Sequence, residues 1–415
     1  MRANLGSGHA TTYQARRPTA ACETGAAIVI DRQIRVALDL TAVPENVAGA
    51  GVYMLNLARA LSRHDGPADF VLFAPEHALT RLGIESPRVR QIPVRLPGRA
   101  ARLVWEQTRL PRLLSDYEAD ILHSPHYTAP LMARQASVVT FPDMTFLLYP
   151  ELHTPVKRVV FPFFMRQSAE RASRLIAMSE STRRDMIRLL GVAPSKVTTI
   201  HLAASDDFLP RSPAEIGETC RRYSVSPHQY LLYVGVFEPR KNIPNLITAF
   251  NEIAAGYSDI TLALAGKPGW MYEEIYARVR DLGLEGRVRF LGYVPDADLP
   301  ALYSGARTFV YPSVYEGFGL PILEAMRCGT PVITSESSSM SEVAGSAAVL
   351  INPNDPAELR NAMVRVIDDP SFARRLRESG LARAAMFGWD RCATDTIAVY
   401  RSAQRVKWEA DRGVA

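Results

Sequence analysis

Apolar positions along this chain gather into short, nearly continuous runs, most of them followed by a longer stretch with apolar residues three or four apart. The first run, residues 34–40 (IRVALDL), has the character of a strand buried on both faces. Gly49, Ala50 and Gly51 then lead into VYMLNLARALSR, where Val52, Leu55, Leu57, Ala58 and Leu61 fall at helical spacing. Strand, glycine loop and helix in that order predict the opening unit of a doubly wound sheet, whose ligands sit at strand C-termini. No G-x-G-x-x-G follows, so a dinucleotide is not indicated. Further runs at 70–74, 89–94, 120–124, 137–141, 174–178 and 197–202 continue the alternation.

Between residues 203 and 228 the pattern dissolves into SDDFLPRSPAEI and YSVSPHQ, rich in Pro, Ser and Asp. A second series of runs follows at 230–235, 260–266, 287–292, 307–312, 331–335 and 347–351, with helices expected at 245–255 and 272–282. The last helices are expected over about 356–386 and 389–408. This predicts two α/β domains, 34–205 and 206–388, preceded by a flexible tail over 1–33. The helix in 389–415 is placed to cross back to the first domain. Ligand is expected in the cleft between the two domains.

Composition agrees with two cores. At 415 residues the chain exceeds what one core usually serves, and 47% apolar with 22% charged residues excludes a disordered or fibrous chain. No window approaches a membrane span, and the first 33 residues lack the apolar segment of a signal peptide. Cys22, Cys220, Cys328 and Cys392 are widely spaced without a C-x-x-C pair, which points to a reducing cytoplasm rather than to zinc or disulfides. The net charge of +5 arises in the N-terminal half, so that half could face an anionic acceptor or the inner face of a membrane. Within it, Arg95, Arg99, Arg102, Arg109 and Arg112 interleave with Leu103, Val104, Trp105 and Leu113. Two readings stay open for that stretch: a basic amphipathic helix on anionic lipid, or a surface helix packing on its own domain.

Candidate chemistry centres on SVYEGFGLPILEAMRCGTPV, residues 313–332. Gly317 and Gly319 break the chain, and a helix begins near Leu320 with Pro321 in its first turn, where a missing N–H costs nothing. Free amides at a helix start beside glycines form an anion site, and Glu316 and Glu324 bracket it with carboxylates suited to hydroxyls. Anion plus polyol suggests a nucleotide sugar. The second domain's first strand ends at Gly235, and Arg240 and Lys241 follow, well placed to neutralise a diphosphate. Another strand ends in AGKPGW, putting Gly266 and Lys267 on the same rim, with Trp270 available to pack or stack.

VGVFEPRKN, LAGKPGW, FLGYVPDADLPALYSGA, YPSVYEGFGLPILEAMRCGTPVITS and SSSMSEVAGSAAVLINPND, in that order, strongly resemble family 4 of the glycosyltransferases. GAGVYMLNLARAL, DILHSPHYTAP, VVTFPDMTFLLYPELHTP and IAMSESTRRDM resemble it more weakly, so the similarity runs from about residue 34 to 400. The resemblance implies a GT-B fold of two Rossmann-like domains, acceptor mainly on the first and nucleotide-sugar donor mainly on the second. It also implies retention at the anomeric carbon with no metal and no cofactor beyond the donor.

By the same resemblance Lys241 and Arg240 contact the diphosphate, together with the backbone around Gly317, Phe318, Gly319 and Leu320, beside Gly266 and Lys267. Glu316 holds donor sugar hydroxyls near the reaction centre, and Glu324 grips the ribose. Gly49, Gly51, His126 and Asp143 are expected on the acceptor side or elsewhere in the cleft: Asp143 keeps the family identity and is suited to acceptor or donor hydroxyls, and His126, at another strand end, is open to either a cleft or a structural role.

The sequence departs from the family at two positions. Val236 stands where many members carry Arg, with Arg240 four residues on to supply the charge. Pro142 stands where T-x-H-D has histidine, which proline cannot replace. The function implied is hexosyl transfer, with mannosyl slightly favoured, to a saccharide or lipid-linked acceptor in cell-surface polysaccharide assembly; nucleic acid is not a partner. The alternative is a non-catalytic nucleotide-sugar binder impaired by Pro142.

Overall fold

The structure is a computed structural model that describes residues 33–413 apart from Asn46, Ala48 and Thr154. The tail expected over residues 1–33, Cys22 included, lies outside the described residues except for Gln33. Every apolar run singled out in the sequence forms a strand, and all strand pairs are parallel.

The first sheet contains β1 (Ile34–Asp39), β2 (Ala68–Ala74), β3 (Val89–Pro93), β4 (Ile121–Ser124), β5 (Ala136–Phe141), β6 (Arg174–Ala177) and β7 (Val197–Thr199). Its order is β3-β2-β1-β4-β5-β6-β7. The second contains β8 (Tyr230–Val234), β9 (Thr261–Ala265), β10 (Val288–Gly292), β11 (Thr308–Tyr311), β12 (Val332–Ser335) and β13 (Val349–Ile351). Its order is β10-β9-β8-β11-β12-β13. In each sheet the strand order reverses beside the first strand, at β1/β4 and β8/β11, where α/β folds bind ligands. The fold is therefore two Rossmann-like α/β domains.

Three expected elements differ in extent, each for a local reason. The run 197–202 leaves the sheet after Thr199, because Leu202, Ala203 and Ala204 are buried along the passage to the second domain. The helix expected over 356–386 is two, Pro356–Asp368 and Pro370–Ala384. Pro370 has no N–H to continue the first, and Asp369 caps the second by accepting from Phe372 N at 2.8 Å. The basic stretch is likewise two helices, Arg99–Thr108 and Leu110–Asp116.

That basic stretch does not present all its arginines to a surface. Arg102 is only 8% exposed. Its Nη1 lies 2.8 Å from Glu106 Oε2 and 3.8 Å from Asp39 Oδ2, and its Nη2 donates to Thr128 Oγ1 at 3.0 Å. Burial and the nearby Asp39 raise the Glu106 carboxyl, against the pull of Arg102 and Thr128. The helix is thus pinned to its own domain.

The chain passes back from the second domain to the first between helices Pro370–Ala384 and Trp389–Asp411. The latter lies over β5 and the helix Ala50–Arg63. Tyr400, wholly buried, meets His123 Nδ1 at 2.7 Å, and Arg174 Nε donates to Ser402 Oγ at 2.9 Å. Burial pushes His123 down to about 3, so it stays neutral in this contact.

The domains also meet at the helix Glu180–Leu190. Its first amides, Glu180 N and Ser181 N, donate to Glu342 of the second domain at 2.8 and 3.1 Å, and His201 Nε2 lies 2.6 Å from the same carboxylate. Among the described residues no helix is long and apolar enough to cross a membrane.

Candidate active site

A cleft of about 580 Å³ separates the C-terminal ends of the two sheets. The donor-side and acceptor-side candidates from the sequence all line it except Gly51, and Trp270 lies outside it. Gly51 lies in the first turn of its helix and packs against the preceding loop. A Cβ there would stand 3.1 Å from Pro44 Cδ and 3.3 Å from Val47 Cγ1. Gly49 and Ala50 supply the cleft wall instead.

The centre of the cleft is an ion cluster rather than a row of separate charges. Arg240 and Lys241 sit on a short turn, Pro239–Lys241, immediately before the helix Ile243–Ala254. Arg240 Nη1 donates to Glu316 Oε2 at 2.7 Å, and Lys241 Nζ to Glu316 Oε1 at 2.5 Å. Tyr311, at the end of β11, bridges the same pair: Lys241 Nζ lies 2.6 Å from its hydroxyl, which donates to Glu316 Oε1 at 3.0 Å. Arg240 Nε also donates to Glu238 Oε2 at 3.1 Å. Two cations therefore face two carboxylates.

Lys241 is 6% exposed and Glu316 8%, which makes these interactions strong and costly to break singly. Burial pushes the Glu316 carboxyl up, but the Arg240 and Lys241 charges and hydrogen bonds bring it down to about 2. Burial and the Arg240 charge lower Lys241, against Glu316.

The loop carrying Glu316 is held from beneath. The Ser339 hydroxyl lies 2.9 Å from the carbonyls of both Glu316 and Phe318, and Glu316 N donates to Ser338 Oγ at 3.1 Å. Gly319, at φ 103°, turns the chain into the helix Leu320–Arg327. Glu324 on that helix accepts from the Tyr303 hydroxyl at 3.1 Å. Burial drives its carboxyl up to about 7, helped by Asp296 and opposed by the Tyr303 hydrogen bond. The two glutamates thus differ sharply in charge state near neutrality. On the far rim, the Lys267 ammonium sits 4.4 Å from the centre of the Tyr293 ring, beside Gly266.

On the first-domain side Asp143 Oδ1 accepts from Thr145 N and Oγ1 at 2.9 and 2.7 Å. His126 packs edge-on against Tyr127 at 4.7 Å, and its buried Nδ1 has no hydrogen-bond partner. Burial, with the Arg102 charge, takes this ring down to about 3, so it is neutral. Pro142, where the resemblance implies histidine, offers a carbonyl that abuts Gly317 across the cleft. Val236 also lines the cleft, and Arg240 reaches Glu316 without an arginine at 236.

Sequence reading missed three participants. Tyr311 and Glu238 lie within motifs already quoted, at or just after strand ends, so proximity to a strand end is the available signal. Tyr303 lies in ALYSGA on a separate helix, Leu299–Gly305, and nothing local tied it to Glu324. Among the described residues no group of three or more His, Cys, Asp or Glu is arranged to hold a metal ion.

The family profile described as Glycosyltransferase Family 4 matches residues 47–207, and that described as Glycosyl transferases group 1 matches 224–383. The chain is 39% identical over 292 residues to the O-antigen chain mannosyltransferase B of Escherichia coli, covering 69% of this chain and 76% of that protein. It is 34% identical over 261 residues to the serotype-specific mannosyltransferase WbdA of Escherichia coli, covering 61% of this chain but only 32% of WbdA. Among solved structures, Anabaena HepE in complex with UDP and glucose shares the fold with a TM-score of 0.72 at 22% identity, over 89% of this chain and 100% of that one.

Proposed function

The chain belongs to family 4 of the glycosyltransferases, and from that premise we propose that it moves a hexosyl group, mannosyl by preference, from a nucleoside-diphosphate sugar to a hydroxyl of a saccharide or lipid-linked acceptor, with retention of configuration. The observation that carries the reading is Glu316 held between Arg240 and Lys241 at the meeting of the two domains. Arg240 supplies a planar fork and Lys241 a point charge for the leaving diphosphate. Preorganised cations in a partly dry cleft stabilise charge as it develops, which is where electrostatic catalysis acts. The amides near Gly319 and Leu320 extend the same field. In this reading they take the place of a metal, and no cofactor is used.

Glu316, ionised throughout the working range, accepts hydroxyls of the donor sugar and keeps both cations in register. The acceptor oxygen approaches C1 on the face from which the diphosphate departs. The bond from C1 to the phosphate oxygen breaks with its electron pair going to phosphate, the bond from C1 to the acceptor oxygen forms, and the acceptor proton passes to the phosphate oxygen. Configuration is retained without a covalent bond to Glu316. Glu324 faces the ribose, and Asp143 faces acceptor or donor hydroxyls.

The names of the two Escherichia coli relatives support mannose and a cell-surface polysaccharide. Exposed Arg99, Arg109 and Arg112, with exposed Val104, support peripheral contact with an anionic membrane surface where a lipid-linked acceptor would reside. The buried free thiols Cys220, Cys328 and Cys392 suit the cytoplasm.

The test is a panel of GDP-, UDP-, ADP- and dTDP-sugars, scored by thermal shift, by diphosphate release and by the anomeric configuration of the product. One nucleotide should raise stability by mass action, and its hexosyl ester should give product with the donor's configuration. An inverted product, or binding with no transfer or hydrolysis from any donor, would overturn the reading.

A further inference from the structure

A second chamber of about 500 Å³ opens beside the ion cluster, a size typical of small-ligand sites, which run to roughly 300–1,000 Å³. It shares Phe146, His153, Glu238 and Arg240 with the main cleft and is completed by Glu151, Arg158, Trp270 and Met271. The first domain builds one wall. His153 stacks on Phe146 at 4.1 Å, and Arg158 ties this wall together by donating from Nε to the His153 carbonyl at 2.8 Å and from Nη2 to the Glu151 carbonyl at 3.0 Å.

The second domain builds the other wall from the turn after β9. Phe237 N donates to the Lys267 carbonyl at 3.0 Å, and Gly269 N donates to the Phe237 carbonyl at 3.1 Å. A Cβ at Gly269 would stand 2.6 Å from that carbonyl oxygen, so only glycine lets the turn lie this close. The turn that displays Trp270 is thereby strapped to the strand end that displays Glu238 and Arg240. Met271 follows at φ 52°, an uncommon conformation for its type, and is 61% exposed. Packing does not require a strained, exposed Met beside a half-buried Trp. The rim is open to a ligand.

An indole face takes the C–H face of a pyranose, while Glu151 and Glu238 accept hydroxyls and Arg158 donates. The chamber adjoins Arg240 and reaches the acceptor-side residues Thr145 and Phe146 rather than the Glu324 end. We propose that it is the subsite for the penultimate sugar of a saccharide acceptor, so that the enzyme extends a chain in preference to a monosaccharide. This rests on the transferase reading above and adds to it the acceptor's class.

The experiment compares transfer to methyl α-mannoside with transfer to α-linked mannobiose and mannotriose, in the wild type, Trp270→Ala and Trp270→Phe. Donor hydrolysis without acceptor is followed in parallel. For wild type kcat/KM should rise from mono- to disaccharide. Trp270→Ala should reduce that ratio by about tenfold, through KM, and Trp270→Phe should keep most of it, as loss and restoration of one aromatic contact dictate. Mannobiose should also change the tryptophan fluorescence of the wild type and leave that of Trp270→Phe unchanged. A ratio unaltered by Trp270→Ala overturns the subsite alone. Parallel loss of donor hydrolysis and of transfer to all acceptors in that variant also overturns it, because the indole would then serve the donor. A wild type that hydrolyses donor but gains nothing from mannobiose over methyl α-mannoside also overturns the subsite alone, whereas one that neither transfers to these acceptors nor hydrolyses any donor overturns the transferase reading and this inference together.

Discussion

Gly317 and Pro142 touch backbone to backbone across the cleft: a Cβ built on Gly317 would stand 1.8 Å from the Pro142 carbonyl oxygen and 2.8 Å from its carbonyl carbon. The atoms in the way are main chain, so neither side can relieve the clash by changing a rotamer. Gly317→Ala must therefore move the Glu316 loop or part the domains. Displacements near an ångström at a preorganised centre cost about a hundredfold in rate, so kcat/KM in the transfer assay should fall by about that factor. Near-normal turnover in Gly317→Ala would show that the contact does not set the catalytic geometry.

Lys241 and Glu316 are each held by the other, and both side chains are nearly buried. Lys241→Ala should reduce kcat by about 10²- to 10³-fold, as loss of one preorganised charge at a leaving group does. It should also weaken nucleoside-diphosphate binding in a thermal-shift titration. Glu316→Gln should lower kcat comparably yet leave the diphosphate shift intact or larger, because it releases both cations from a competing carboxylate. Opposite behaviour of the two variants toward the diphosphate is the signature; equal loss of binding would count against the assigned division of labour.

Local pattern carried the fold further than it carried the site. Each strand was visible because a parallel strand covered on both faces must be apolar almost throughout. Glu316, Glu324, Arg240 and Lys241 were visible because they stand at strand ends and a helix start. What escaped is what depends on distant partners. Arg102 sits in a basic stretch, but its fate is set by Asp39, Glu106 and Thr128, the first and last of them on other elements. Pro142 and Gly317 have no polar side chain, so nothing in either motif announces that their backbones meet. The direct bonding of Glu316 to both cations, in place of separate cations lining a rim, likewise depends on how closely two loops approach.

Glu342 joins the domains by accepting two amides at the start of the helix Glu180–Leu190 and facing His201 Nε2. Burial pushes this carboxyl up, but His201 and the two amides hold it below its ordinary value. Glu342→Ala removes a charged cap supplied from another domain, worth about 1–2 kcal/mol. Stability should drop by that order, and small-angle scattering should report a larger radius of gyration as the domains loosen. Donor KM should rise with kcat/KM falling. A variant with unchanged scattering and kinetics would reduce Glu342 to a simple helix cap.

Glu324 gives the protein a pH dependence opposite in sign to that of Glu316. The Glu324 carboxyl is raised from an ordinary 4.5 to about 7, so between those values the folded chain binds a proton that the unfolded chain has released. Its contribution to stability is therefore present at low pH and lost as pH rises through about 7. Glu316, lowered to about 2, contributes stability that is complete above its ordinary 4.5 and lost as pH falls toward 2. Glu324→Gln keeps a hydrogen-bonding group beside Tyr303 without an ionisable proton. Relative to wild type it should gain stability as pH is raised from 4.5 past 7, by at most about 3 kcal/mol, since each pKa unit corresponds to about 1.4 kcal/mol. Melting temperatures of the two proteins measured across that range, without nucleotide, should converge at the acid end, separate as pH rises from 4.5 to about 7 and keep a constant gap above that. Parallel curves would mean that the Glu324 carboxyl does not carry its proton into the neutral range.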